Sequence, residues 1–135
     1  HIVVLGRSNI VGRPISILTS LKGRGMNATT TICHSATKDI KKHTKSADIL
    51  ISAIGIPNFI DGSMLKNNSI VIDVGINRII NKLTNKTQLV GDANWKKITN
   101  IASAATPVPG GVGPMTIAML LENTIVAAER KISSQ

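Results

Sequence analysis

The chain has 135 residues, 42% hydrophobic and 17% charged, which is too apolar for a disordered basic tail and suits one domain burying about two thirds of its extended surface. Sixteen Lys and Arg against seven Asp and Glu give a net charge of +9, which invites a nucleic-acid reading, yet Phe59 and Trp95 are the only aromatics and argue against base stacking. No run approaches the roughly 18 apolar residues of a membrane span, and the single Cys33 excludes an internal disulfide and favours a reducing, cytoplasmic compartment.

His1 is followed at once by Ile2-Val3-Val4-Leu5, an apolar run that predicts a buried strand leading into Gly6 and not a signal peptide. Chain ends are usually loose, so a core strand here creates the expectation that sequence precedes His1 in the full protein. Pro14 suits the first turn of a helix that carries Ile15, Leu18 and Leu21 at helical spacing and ends at Lys22–Gly25. Ala28–Cys33 is β-branched and predicts a second strand. Thr37–Ser46, with Lys38, Lys41, Lys42 and Lys45, reads as a short basic helix or turn. Asp48–Ala53 is a third strand, ended by Gly55-Ile56-Pro57, and Ser69–Val74 a fourth, ended by Gly75. A polar turn over Asn81–Lys86, a short strand over Gln88–Asp92 and a helix over Ala93–Asn100 follow. Ile101–Ala105 suggests a last strand, and Met115–Lys131 an amphipathic helix apolar at Ile117, Leu120, Leu121, Ile125 and Ala128. Apolar strands alternating with helices predict a Rossmann-like α/β fold: a doubly wound, mostly parallel sheet with helices on both faces.

Ligands of such sheets bind at the carboxyl ends of the strands, where this chain places its Gly-containing turns. Gly6-Arg7-Ser8-Asn9-Ile10-Val11-Gly12 lies between a strand and a helix, the position of a pyrophosphate-binding turn. It departs from the GxGxxG pattern, with Ser8 at the second glycine and the last glycine one place late. Taken alone it fits a ligand-free connection equally well. The end of the second strand reads Ile32-Cys33-His34-Ser35, without the acid that NAD-preferring sites place there. Ser35 can donate to a 2′-phosphate and Arg7 can pair with one, so the chemistry favours NADP over NAD. The Lys38–Lys45 cluster reads as a solvated face.

Thr106–Thr116 is the most unusual stretch. Pro107, Pro109 and Pro114 fix φ near about −65°, while Gly110, Gly111 and Gly113 open conformations closed to other residues. A rigid loop with so little side-chain bulk lets a flat ligand lie against the main chain. His1, His34 and His43 lack metal-ligand spacing, and with one cysteine no zinc site is expected. Asp73 and Asp92 flank Gly-containing turns, where a catalytic role competes with the favoured reading of strand-end carboxylates accepting backbone N–H bonds; Trp95 reads as a partly buried helix residue.

Gly-Arg-Ser-Asn-Ile-Val-Gly-Arg-Pro, Cys-His-Ser, Val-Ile-Asp-Val-Gly-Ile-Asn, Val-Gly-Asp and Thr-Pro-Val-Pro-Gly-Gly-Val-Gly-Pro-Met-Thr occur in this order. Together they closely resemble the C-terminal NADP-binding domain of the bifunctional methylenetetrahydrofolate dehydrogenase/methenyltetrahydrofolate cyclohydrolase family, over essentially the whole chain. Two departures are extra length around Lys22–Met26 and Ala36-Thr37 after Ser35, where a Lys is frequent in the family.

The resemblance implies one NAD(P)-binding domain over residues 1–135, with NADP on Gly6, Arg7, Ser8, Ser35 and Ile76, bordered by Ile10, Ala53, Val74 and Thr116. It implies that Pro109, Gly110, Gly111, Val112 and Gly113 face a folate substrate. The implied chemistry is hydride transfer from 5,10-methylenetetrahydrofolate to NADP, then hydrolysis to 10-formyltetrahydrofolate, within one-carbon metabolism. The family's catalytic Lys sits on an N-terminal folate domain that no part of this chain matches, so no catalytic residue is expected here. The resemblance also implies a homodimer, while the dispersed charge and the lack of a long apolar run lead us to expect no nucleic-acid or membrane partner. The competing readings are a truncated, inactive dimerisation or regulatory relative, and a basic nucleic-acid module. The latter needs one basic stripe, whereas the cations run from Arg7 to Lys131 with a single cluster.

Overall fold

The apolar runs become strands of four residues each: β1 (Ile2–Leu5), β2 (Thr30–Cys33), β3 (Ile49–Ser52) and β4 (Ile70–Asp73). They are followed by β5 (Asn77–Ile80), β6 (Thr87–Val90) and β7 (Ala104–Ala105). The helices are α1 (Gly12–Ser20), α2 (Ile40–Lys45), α3 (Trp95–Ile98) and α4 (Val112–Ser133), with a 3-10 turn at Gly62–Met64. The structure is a computed structural model and describes residues 1–81 and 85–134.

The main sheet has the order β2-β1-β3-β4-β7, and every pairing in it is parallel. This is the Rossmann-like α/β sheet expected from the sequence. Parallel strands buried on a helix-covered face are built from Val, Ile and Leu because both the pleat and the burial favour them. Val3 and Leu5 of β1, Leu50 of β3 and Val71 of β4 point to one face. There they pack with Ala47 after α2, Leu65 after the 3-10 turn and Ile98 of α3 to form the core. Each such fully buried aliphatic side chain contributes roughly 1.5–3 kcal/mol.

The opposite face carries α1, which lies against β1 and β2. The sequence placed Ile15, Leu18 and Leu21 at helical spacing on this helix, and of these only Ile15 is half-buried. Gly12 and Ser16 are the buried residues of α1, while Ile17, Leu18 and Leu21 are exposed. Small side chains let the helix approach the sheet closely: the Ser16 hydroxyl folds back to donate to the Gly12 carbonyl at 2.6 Å, and the Thr19 and Thr30 hydroxyls meet at 3.0 Å.

β5 and β6 form a separate antiparallel ribbon, in which Asn77 pairs with Val90 and Ile80 with Thr87. The sequence anticipated only the second of these strands. The expected turn over Asn81–Lys86 falls partly outside the described residues. β7 is shorter than expected, because Ile101 and Ala102 turn toward the core instead of joining the ladder. The last helix begins at Val112 and not at Met115, so the end of the Pro-Gly stretch forms its first turn. No residue of α4 is buried, and its apolar stripe at Ile117, Leu120, Leu121 and Ile125 is uncovered by the described residues. Among the described residues, no helix is long and apolar enough to cross a membrane.

Candidate functional site

In the sheet order, β1 is flanked by β2 on one side and β3 on the other. The chain therefore leaves β1 and β3 in opposite directions and opens a crevice at their carboxyl ends, where sheets of this kind bind ligands. The backbone ladder carries past the strand ends: Gly6 N–H donates to the Cys33 carbonyl and Ala53 N–H to the Leu5 carbonyl, both at 2.8 Å. Gly6 sits at φ +111°, and a Cβ there would strike the Ala53 carbonyl. A Cβ on Gly12 would strike the Gly6 carbonyl. Both glycines are thus required by backbone-on-backbone contact. The Ser8 hydroxyl accepts from the Val11 and Gly12 N–H groups at 3.1 and 3.3 Å, closing the turn onto the start of α1.

A hollow of about 390 Å³ opens over this turn. Four of the residues expected at a cofactor line it: Gly6, Arg7, Ser35 and Ala53. Ser8 and Ile10 do not; Ser8 is engaged in the turn and the Ile10 side chain projects into solvent. Ser35 stands at the tip of a compact turn in which Thr37 N–H donates to the His34 carbonyl at 2.8 Å and His34 N–H to the Thr37 hydroxyl at 2.9 Å. The residues lining this hollow include no carboxylate. Arg7 is exposed and makes no ion pair among the described residues, where both ion pairs involve Asp48. An unpaired guanidinium and a free hydroxyl on an acid-free rim match the chemistry of a phosphate monoester. Burial pushes the Cys33 thiol up, so this wall residue is not a reactive thiolate.

Sequence reasoning missed Ile56 and Phe59, which are 49% and 38% exposed and form an apolar wall of this hollow. Their signal was position: apolar residues just after a Gly turn at a strand's carboxyl end.

A second hollow of about 270 Å³ lies beyond the end of β4. It brings Val74, Ile76 and Thr116 together with all five residues of Pro109–Gly113. The Thr106 hydroxyl accepts from Asp73 N–H at 2.8 Å and anchors the loop to β4. The Val108–Pro109 peptide is cis, and Gly110 adopts φ +100°. A third hollow of about 500 Å³ lies alongside β6, walled by Trp95, Lys96 and Gln88, and shares Asp73, Leu89, Pro107 and Val108 with the second.

Asp73 and Asp92 connect these regions. Asp73 accepts from Gly75, Asp92 and Ala93 N–H at 2.9, 3.1 and 2.8 Å. Asp92 is fully buried and accepts from the Ser52 hydroxyl, the Ile54 and Gly55 N–H groups and the Asn77 side-chain amide. Both are the strand-end carboxylates expected from the sequence. Burial pushes the Asp73 carboxyl above its ordinary 3.8, with a contribution from the nearby Asp92 charge, against the lowering pull of the three N–H donors. The folded chain therefore holds this proton more tightly than the unfolded one. The stability this contributes is complete below about pH 3.8 and is lost as pH rises through the raised folded value. Carbon-13 titration of the Asp73 carboxyl is expected to show a midpoint above 3.8, and a midpoint at or below it contradicts this account.

The reversed strand order, the glycine turn and the acid-free hollow define a dinucleotide-binding α/β domain. Comparison with known proteins narrows the class. The family model described as tetrahydrofolate dehydrogenase/cyclohydrolase, NAD(P)-binding domain, matches residues 1–132, and the chain belongs to that family. It is 57% identical over 131 residues to the bifunctional protein FolD of Chlorobium phaeovibrioides, covering 96% of this chain and 44% of the relative. The FolD of Halobacterium salinarum is 53% identical, with 97% and 44% covered. A 5,10-methylenetetrahydrofolate dehydrogenase structure from Bombyx mori superposes with a TM-score of 0.86 at 43% identity, covering 98% of this chain and 45% of its own. The methylenetetrahydrofolate dehydrogenase-cyclohydrolase of Trypanosoma brucei, complexed with NADP cofactor and inhibitor, gives 0.84 at 39% identity, covering 97% and 44%. This chain thus spans less than half the length of the relatives it matches.

Proposed function

We propose that this chain is the cofactor domain of an NADP-dependent enzyme that oxidises 5,10-methylenetetrahydrofolate to 5,10-methenyltetrahydrofolate, with hydrolysis to 10-formyltetrahydrofolate performed by the full protein. The observation that carries this reading is the pair of hollows along one carboxyl edge, one phosphate-compatible and one walled by the Pro-Gly loop. Arg7 and Ser35 hold the 2′-phosphate, and the Gly6–Gly12 turn offers backbone N–H groups to the pyrophosphate. Val74, Ile76 and Thr116 border the far end of the cofactor. Bound there, NADP supplies the hydride acceptor. Pro109 to Gly113 offer a face of main chain and small residues to the flat folate, which excludes water and fixes the angle of approach. Hydride transfer depends on alignment more than on an acid or base, which suits a site lined mostly by backbone and aliphatic groups.

Hydrolysis needs a proton-transferring group that we assign to a folate domain outside these residues. In the same reading the assembled enzyme is a cytoplasmic homodimer, and the exposed apolar stripe of α4 is surface available to a neighbouring domain or subunit. Titration of the 135-residue chain is expected to show weak binding of NADP, weaker still of NAD, and no oxidation of methylenetetrahydrofolate. Detectable turnover by this chain alone overturns the need for a folate domain outside these residues, and no binding of NADP or a preference for NAD overturns the cofactor assignment.

A further inference from the structure

Asp92 is a fully buried carboxylate that the proposed chemistry leaves without a role. Its two oxygens face different parts of the site. Oδ2 accepts from the Ser52 hydroxyl at 3.0 Å, Ile54 N–H at 2.9 Å and Gly55 N–H at 3.2 Å. These donors form the end of β3 and the turn after it, which floors the first hollow. Oδ1 accepts from the Asn77 side-chain amide at 2.9 Å, at the start of β5 and next to Ile76 of the second hollow. The same carboxylate lies against Gly75, where a Cβ would collide with it. Two turns that exit neighbouring strands are therefore tied to a single rigid group. The backbone of Asp92 is held in turn, because its N–H donates to Asp73 Oδ1 at 3.1 Å.

We propose that Asp92 is a positioning residue that sets the spacing between the two hollows, so that a cofactor anchored in the first presents its reactive end in the second. A planar carboxylate suits this role, since its two oxygens have a fixed separation and each can accept more than one hydrogen bond. Loss of the link leaves each hollow intact but free to shift, and a misplacement of about 1 Å can cost on the order of a hundredfold in rate. The inference rests on the cofactor reading above.

The test uses the full-length protein and two ligands. Adenosine 2′,5′-bisphosphate is expected to occupy the first hollow alone, whereas NADP spans both. Asn77→Asp sets a second carboxylate beside Oδ1, and like charges at this range repel. It is expected to weaken NADP binding and lower kcat by about tenfold or more, while adenosine 2′,5′-bisphosphate binds as in the wild type. The double variant Asp92→Asn/Asn77→Asp exchanges amide and carboxylate: the new amide oxygen still accepts from Ser52, Ile54 and Gly55 while its nitrogen donates to the new carboxylate, so the link is restored and binding is expected to recover to within about threefold of the wild type. Ser52→Ala removes one donor from Oδ2 and shows the same selective loss in smaller measure should Asn77→Asp fail to fold. Equal loss of both ligands, no loss of either, or no recovery in the double variant overturns the positioning role alone. Wild-type protein that binds neither ligand overturns the cofactor reading and this inference with it.

Discussion

Arg7→Ala is expected to weaken NADP binding by about ten- to a hundredfold and to leave NAD binding unchanged. A hydrogen bond from a guanidinium to a phosphate contributes about 1.5–3 kcal/mol, and each 1.4 kcal/mol is about a factor of ten in affinity. The site gives Arg7 no competing task. It stands on the rim of the first hollow, exposed, with no carboxylate partner among the described residues. Ser35, across the same rim, adds one neutral donor, so Ser35→Ala should cost about 1 kcal/mol. Titrations of the two variants with NADP and NAD at fixed ionic strength check the assignment. The discriminating quantity is the ratio of the two affinities. A general electrostatic attraction from the +9 charge would fall for both cofactors together, and more steeply with salt. A ratio that does not change in Arg7→Ala moves the phosphate contact elsewhere, and Lys38 is then the next cation to replace.

Backbone-determined features were the most legible in the sequence. Ile2–Leu5 matches β1 residue for residue, because a continuous aliphatic run before a glycine has few other uses. The Gly6–Gly12 turn and the Pro-Gly loop were visible for a related reason: their φ values and close approaches restrict the residue type itself. Features set by a partner surface were less legible. Leu18 and Leu21 repeat at helical spacing, yet α1 packs through Gly12 and Ser16, since closeness to the sheet outweighs apolar area there. The sequence showed the apolar stripe on α4 but not what covers it, and the described chain does not bury it. The β5–β6 ribbon has four residues a side, and Asn77-Arg78-Ile79-Ile80 is too short to announce a strand by alternation. Ile56 and Phe59 could be read as lining residues only once the end of β3 was placed beside β1. Asp73 and Asp92 were readable singly as strand-end carboxylates. Their mutual arrangement, each beside the glycine of the other's turn, exists only in three dimensions.

Gly6→Ala is expected to cost about 3–5 kcal/mol of stability and to abolish cofactor binding in the molecules that remain folded. Two separable effects add. The first is the backbone: at φ +111° an L-residue is strained, at a cost of order 1–3 kcal/mol. The second is the collision of the new methyl group with the Ala53 carbonyl, which is main chain of the neighbouring strand and cannot swing aside as a side chain would. Relief requires β1 and β3 to part at their carboxyl ends. That movement strains the 2.8 Å bond from Ala53 N–H to the Leu5 carbonyl and lowers the floor of the first hollow. Gly25 provides the control. It too has positive φ, at +77°, but nothing lies within 4 Å of where its Cβ would be. Gly25→Ala should therefore show the backbone cost alone, about 1–2 kcal/mol. Urea denaturation of the two variants measures the difference, which combines the contact between the two strands with the greater backbone strain at φ +111°. Domains of this kind are stable by only about 5–15 kcal/mol, so the Gly6 variant sits near the unfolding threshold while the Gly25 variant does not. Equal losses at the two sites would mean that the β1 turn tolerates a side chain, and that the crevice is not shaped by the close approach of β1 to β3.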